Sequence, residues 1–209
     1  MARPIEFDRS DVLDRATRLF WDKGYCATSI SDLVRVTGLN PGSIYGAFNS
    51  KEGLFLTALE FYGEHSIQKL KALLAGSDDP LRGIVFFLQQ LVDEHWKRTG
   101  QRGCFLVNTT LEVAPHNRKV KQRVMRYFDG IEQCFADVFE RAAAEALLDR
   151  GQDPVALAKF LMTTIWGIRV MQRLGTDKAG LQKVVNEYLS YLGRQRPTSK
   201  RKPRHGMEN

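Results

Sequence analysis

Apolar residues recur three and four apart along nearly the whole chain, the spacing that lines one side of an α-helix. Strict alternation of apolar and polar residues, the mark of a half-buried strand, is not a feature of it. Val12, Leu13, Ala16, Leu19 and Phe20 form the first stripe and predict a helix from about Ser10 to Lys23, ended by Gly24. Ile30, Leu33 and Val34 predict a short second helix. Thr28 or Ser29 caps it, and Ser29 with Asp32 three residues later helps seat its first turn. Gly38 stands where the chain must reverse, a position suited to positive φ. Pro41 opens a third helix, where its missing N–H is harmless, and Ile44, Tyr45 and Phe48 share one side of it. Ser50 caps a long helix running to about Leu74. Five more helices follow: about Leu81 to Lys97, Cys104 to Val113, residues 116 to about 148, Pro154 to about Leu174, and Asp177 to Gly193. The helix from Pro154 carries apolar residues on several sides, so burial on both faces is expected. The chain reads as all-α.

The second and third helices, joined through Gly38, have the form of a helix-turn-helix, whose second helix enters the DNA major groove. Around them the residue types repeat a known pattern at fixed spacing. Thr28, Ile30, Asp32, Leu33, Gly38, Gly42, Tyr45, Phe48, Ser50, Lys51, Glu52 and Leu54 all fall in register with it. Over about residues 10 to 62 the chain resembles the DNA-binding domain of TetR/AcrR-type transcriptional regulators. Ala47 is a departure, since many members carry histidine just before the phenylalanine. The resemblance implies a repressor, a homodimer built from the last two helices as a four-helix bundle, and a palindromic double-stranded operator. It divides the chain into a helix-turn-helix domain over residues 1–50, a helical regulatory and dimerisation domain over 51–194, and a basic tail over 195–209, read as disordered.

Charge changes this picture less than its total suggests. The net charge is +7 and the pI about 9.4. Residues 1–62, however, carry seven lysines and arginines against eight aspartates and glutamates, a net −1. Residues 194–209 carry six against one, a net +5. The argument for DNA binding therefore rests on the motif. The basic tail motivates an alternative, a non-sequence-specific architectural DNA-binding protein, with weak and strongly salt-dependent binding to any duplex. No uninterrupted apolar run reaches the roughly 18 residues of a membrane span, and no signal-peptide pattern opens the chain. Cys26, Cys104 and Cys134 form no Cys-x-x-Cys pair. A cytoplasmic protein without membrane partners is expected. His65, His95, His116 and His205 lack metal-ligand spacing, and no nucleophile elbow, phosphate loop or dinucleotide fingerprint appears. No enzyme, metal or cofactor is expected.

Candidate chemistry falls in two places. On DNA, Thr28, Tyr45 and Lys51 are the expected phosphate contacts, Lys51 at a helix start that already favours an anion. Asn40, Pro41, Gly42, Ser43 and Gly46 are the exposed, small residues available to base edges. For an input signal, Phe87, Trp96, Cys104, Phe105, Asn108, Phe128, Met162 and Trp166 are candidates to line an apolar pocket for a small hydrophobic inducer. Cys104 follows Gly103 at a predicted helix start with Arg102 beside it, a setting that favours the reactive thiolate. The plainer assignment for Cys104 is a small core residue.

Overall fold

The computed structural model describes residues 7–76, 78–94, 102–149 and 151–193. Trp96, the tail 195–209 and residues 1–6 lie outside the described residues. The described residues form nine helices and no strands: α1 (Arg9–Lys23), α2 (Ile30–Thr37), α3 (Pro41–Phe48), α4 (Lys51–Ala75), α5 (Pro80–Glu94), α6 (Phe105–Glu112), α7 (Arg118–Ala144), α8 (Pro154–Arg173) and α9 (Lys178–Gly193).

Local chemistry accounts for most of the boundaries. Asp8 accepts from the Ser10 and Asp11 amides and starts α1 one residue earlier than the apolar stripe suggests. Ser29 and Asp32 form a reciprocal capping box on α2, and Gly38 ends it at φ 73°. Asn40 caps α3 and Pro41 is its first residue. Asn117 caps α7 and Asp153 caps α8.

The apolar faces collect into two cores. One, the lower core, joins α1, α2, α3 and the first half of α4 with α6 and the start of α7, through Phe20, Leu33, Ile44, Phe55, Leu59, Phe105, Leu106 and Val120. The other joins the end of α4 with α5, the rest of α7, α8 and α9, through Leu74, Leu88, Phe135, Phe139, Met162 and Leu181. Helices α4 and α7 run side by side and parallel. The Asn117 amide donates to Glu52, Arg123 pairs with Glu60, the Tyr127 ring lies against Gly63, and Ile67 lies against Gly130. A side chain at Gly63 would overlap the Tyr127 ring, so the two helices touch almost backbone to ring there.

Within one chain α8 is buried on one side only. Leu157, Leu161, Met162, Ile165 and Ile168 enter the core, whereas Phe160, Trp166 and Val170 remain 46%, 37% and 38% exposed and Leu174 78% exposed. The expected burial of both faces is thus half met by this chain. Among the described helices, α8 also has the length and apolar composition of a membrane span.

Candidate nucleic-acid interface

Helix α3 is held from beneath and offers its other side to solvent. Ile44 and Phe48 are buried, and the Arg9 guanidinium lies 5.0 Å from the Phe48 ring centre. Pro41, Gly42, Tyr45 and Gly46 are exposed and Ser43 is half-buried. Tyr45 is 48% exposed. Asn40 is exposed, but its side-chain oxygen accepts from the Ser43 amide at 2.8 Å, so only its amide end remains for a base or phosphate. The turn into α4 is two residues long. Asn49 takes φ 65°, the Ser50 amide donates to the Phe48 carbonyl at 2.8 Å, and the Ser50 hydroxyl accepts from the Gly53 amide at 2.9 Å. A Cβ on Gly53 would overlap the Phe48 carbonyl oxygen. Lys51, the first residue of α4, sets its ammonium 4.4 Å from the Tyr25 ring centre.

Thr28 is placed differently from the surface contact expected of it. It is 1% exposed, and its hydroxyl donates to the Gly24 carbonyl at 2.5 Å. It closes the α1–α2 loop and leaves the cap to Ser29. Asp32 accepts from Lys23 at 2.5 Å and from Ser29, which holds its carboxyl well below the usual carboxylate range.

Above this headpiece lies a joint that the sequence did not announce. The Glu112 carboxylate, at the end of α6, accepts from the Tyr25 amide at 3.2 Å and the Cys26 amide at 2.8 Å. Gly24, at φ 84°, has room for no side chain because that carboxylate fills the space. Just before α6, the Arg102 carbonyl accepts from the Trp21 indole at 3.2 Å, the Asn108 amide at 2.9 Å and Arg173 of α8 at 3.4 Å. The Arg102 guanidinium pairs with Asp22 at 2.5 Å. Three helices therefore meet at one backbone carbonyl.

The described residues among those expected to line a pocket do not meet in one place. Phe105 stacks edge-on with Phe55 and Tyr62 in the lower core, with Cys104 and Asn108 beside it. Phe87 packs on Phe135 and Met162 is buried nearby in the upper core, while Phe128 pairs with Trp166 at 4.9 Å. Two surface recesses, one along Pro115–Met125 and one between Glu64 and Tyr127, contain none of them. Periodicity places aromatics on a helix face but does not say which neighbour that face meets. Cys104 caps α6 without a side-chain hydrogen bond to the helix, and its Sγ receives the Tyr62 hydroxyl at 3.7 Å. Burial, then the neighbouring Cys104, holds the Tyr62 hydroxyl above its ordinary pKa. The cation expected at the thiol, Arg102, is engaged by Asp22.

Residues 12–58 match the family described as bacterial regulatory proteins, tetR family, and residues 80–188 match a tetracyclin repressor-like C-terminal domain. The chain belongs to the TetR family. It is 27% identical over 188 residues to the transcriptional repressor ComR of Escherichia coli, covering 90% of each chain. A cysteine mutant of the TetR-family regulator CifR, solved with a 26-base-pair operator, matches with a TM-score of 0.81 and 29% identity, covering 90% of this chain and 98% of that one. The reduced form of E. coli NemR shares the fold, with a TM-score of 0.81 at 19% identity over 92% of this chain and 98% of that one. As a TetR-family member the protein is a DNA-binding transcriptional regulator, and α2 and α3 are its helix-turn-helix. Sequence reading missed Gly53, Glu112 and the Arg102 carbonyl. Only Gly53, within the Ser-Lys-Glu-Gly-Leu run, carried a local signal.

Proposed function

We propose that this regulator is a homodimeric repressor of a palindromic operator, and that its DNA affinity is switched through the joint between α6 and the headpiece. Residues 1–50 read DNA, α4 carries the motion, and residues 51–194 dimerise and receive the signal. Pro41, Gly42, Ser43 and the amide end of Asn40 approach base edges, while Tyr45 and Lys51 take phosphates. Thr28 acts from beneath, holding the loop that seats α2. The exposed strip of Phe160, Trp166 and Val170 on α8 and Leu174 at its end, with α9 alongside, supplies the dimer contact. Two-fold symmetry then sets two α3 helices against successive major grooves about 34–36 Å apart.

The observation that carries the switch is the joint itself. The Glu112 carboxylate on two headpiece amides and the Arg102 carbonyl shared by α1, α6 and α8 leave little slack between regulatory helices and headpiece. A small apolar ligand that moves α6, or modification of Cys104 at its first turn, would reset the spacing of the two heads. A ligand does this only to the extent that it prefers one setting. That CifR was solved on its operator as a cysteine mutant supports the thiol input.

Footprinting on the protein's own upstream region, with and without diamide or a panel of hydrophobic ligands, tests the reading. A protected palindrome released by one treatment is expected. Uniform, salt-sensitive coating would refute it. The Tyr45→Phe, Lys51→Ala double variant should lose the footprint yet remain dimeric. Cys104→Ser should abolish release by diamide if the thiol is the input, and leave release by a ligand intact.

A further inference from the structure

We propose that the start of α7 is a second DNA-backbone contact, a cationic shoulder that takes operator phosphates outside the segment addressed by α3. This rests on the docking of α3 and Lys51 proposed above.

The first observation is a shortage. Neutralising phosphates requires cations, and residues 1–62 carry a net charge of −1. Several of their cations are engaged, Arg15 by Asp11, Arg18 by Asp14, and Lys23 and Arg35 by Asp32. The second observation is a surplus next door. Between Glu112 and Asp129 the sequence has five lysines and arginines and no acid. Arg123 pairs with Glu60 of α4. Arg118, Lys119 and Lys121 are exposed and form no ion pair among the described residues. These three occupy the first turns of α7, where the field of the helix opposes positive charge. Helix stability therefore does not account for them, and an external anion does.

Placement selects the anion. Because α4 and α7 run parallel, their first turns lie at the same level. Asn117, the cap of α7, donates to Glu52 at 3.1 Å, and Glu52 adjoins Lys51. Arg118 and Lys121, with His116 and Pro115, rim an open recess on this side of the molecule. The shoulder thus continues the surface that Lys51 begins, and its occupant is the phosphate backbone flanking each half-site. Such contacts add affinity and orientation and carry no base preference.

The test uses the full-length protein and the duplex protected in footprinting, made in two lengths. One spans the whole protected segment, and the other is trimmed to the two half-sites that α3 addresses. An Arg118→Gln, Lys121→Gln variant is expected to bind the long duplex about tenfold more weakly near physiological salt. Its log–log salt slope should be shallower by about one for each phosphate that is no longer neutralised. On the trimmed duplex it should match the parent. Lys69→Gln, an exposed neutralisation far along α4, should leave both slopes unchanged. An unchanged slope on the long duplex would overturn the shoulder while parental operator binding still stands. An equal loss on the trimmed duplex, or an equal loss with Lys69→Gln, would also overturn it, by assigning the effect to the fold or to overall charge.

Discussion

Gly53→Ala separates a helix-propensity effect from a packing effect because the two have opposite signs. Gly53 is the third residue of α4, and alanine there gains roughly 1 kcal/mol of helix propensity. The new methyl would, however, overlap the Phe48 carbonyl oxygen. That oxygen belongs to the last turn of α3 and already accepts from the Ser50 amide at 2.8 Å, so it has no side-chain freedom to yield. Overpacking of this kind costs about 1–3 kcal/mol. The clash should win by about 1 kcal/mol, lowering the melting temperature by about 2–4 °C in a chain of this size. The change also pushes α3 away from the start of α4 and breaks the common register of Tyr45 and Lys51, so operator affinity should fall about tenfold. Gly46→Ala is the comparator. It lies in α3 with nothing within 4 Å of the space its methyl would fill, and should raise the melting temperature. Thermal melts at fixed protein concentration, with fluorescence-anisotropy titration of operator DNA, measure both effects. A Gly53→Ala protein as stable as its parent and equally tight on operator would refute the packing argument.

Three further outcomes are expected. Glu112→Ala removes two charge-assisted hydrogen bonds, each worth about 1.5–3 kcal/mol when shielded and less here because Cys26 is exposed. Hydrogen exchange at the Tyr25 and Cys26 amides should accelerate while the α8 amides keep their protection. Val170→Asp places a charge in the exposed strip of α8 and should yield a folded monomer by light scattering, with operator affinity lost. Asp32 has its carboxyl pKa depressed in the folded state, first by Lys23 and then by Ser29. Its contribution is therefore present above the unfolded carboxylate value of about 3.9 and disappears as pH falls through the folded value below it. Asp32→Asn should lower the melting temperature at neutral pH, and the difference should shrink in strong acid. A pH-independent difference would contradict the assignment.

What was legible in the sequence was what local chemistry decides. The capping box of Ser29 and Asp32, the left-handed Gly38 and the Pro41 start each act within a few residues, and together they delimit α2 and α3. Asp8 escaped notice because the apolar stripe begins after it, although its two amide contacts are equally local. Long-range partners left no trace. Glu112 meets amides 86 and 87 residues earlier in the chain, and nothing in its own neighbourhood marks it. The pocket candidates failed to converge for a related reason. Phe105 and Phe87 have similar helical settings, yet one lies in the lower core and the other against the upper. Thr28 fits the family pattern at its position, but the pattern does not say whether its hydroxyl turns out to a phosphate or in to Gly24.

The joint between headpiece and regulatory helices is written largely in backbone. Glu112 recognises two peptide N–H groups, which almost any pair of residues would provide, and Arg102 contributes a peptide carbonyl. The joint's polar side-chain contacts with the headpiece involve Trp21 and Asp22, beside the bare Gly24, all in or just after α1, while Phe105 packs on Trp21 and Phe55 in the shared core. The α2–α3 unit is therefore the exchangeable part, while α1 and these positions stay with the body. Grafting α2 and α3 of a relative onto this body should give a chimera that reads the relative's operator and still answers this protein's signal.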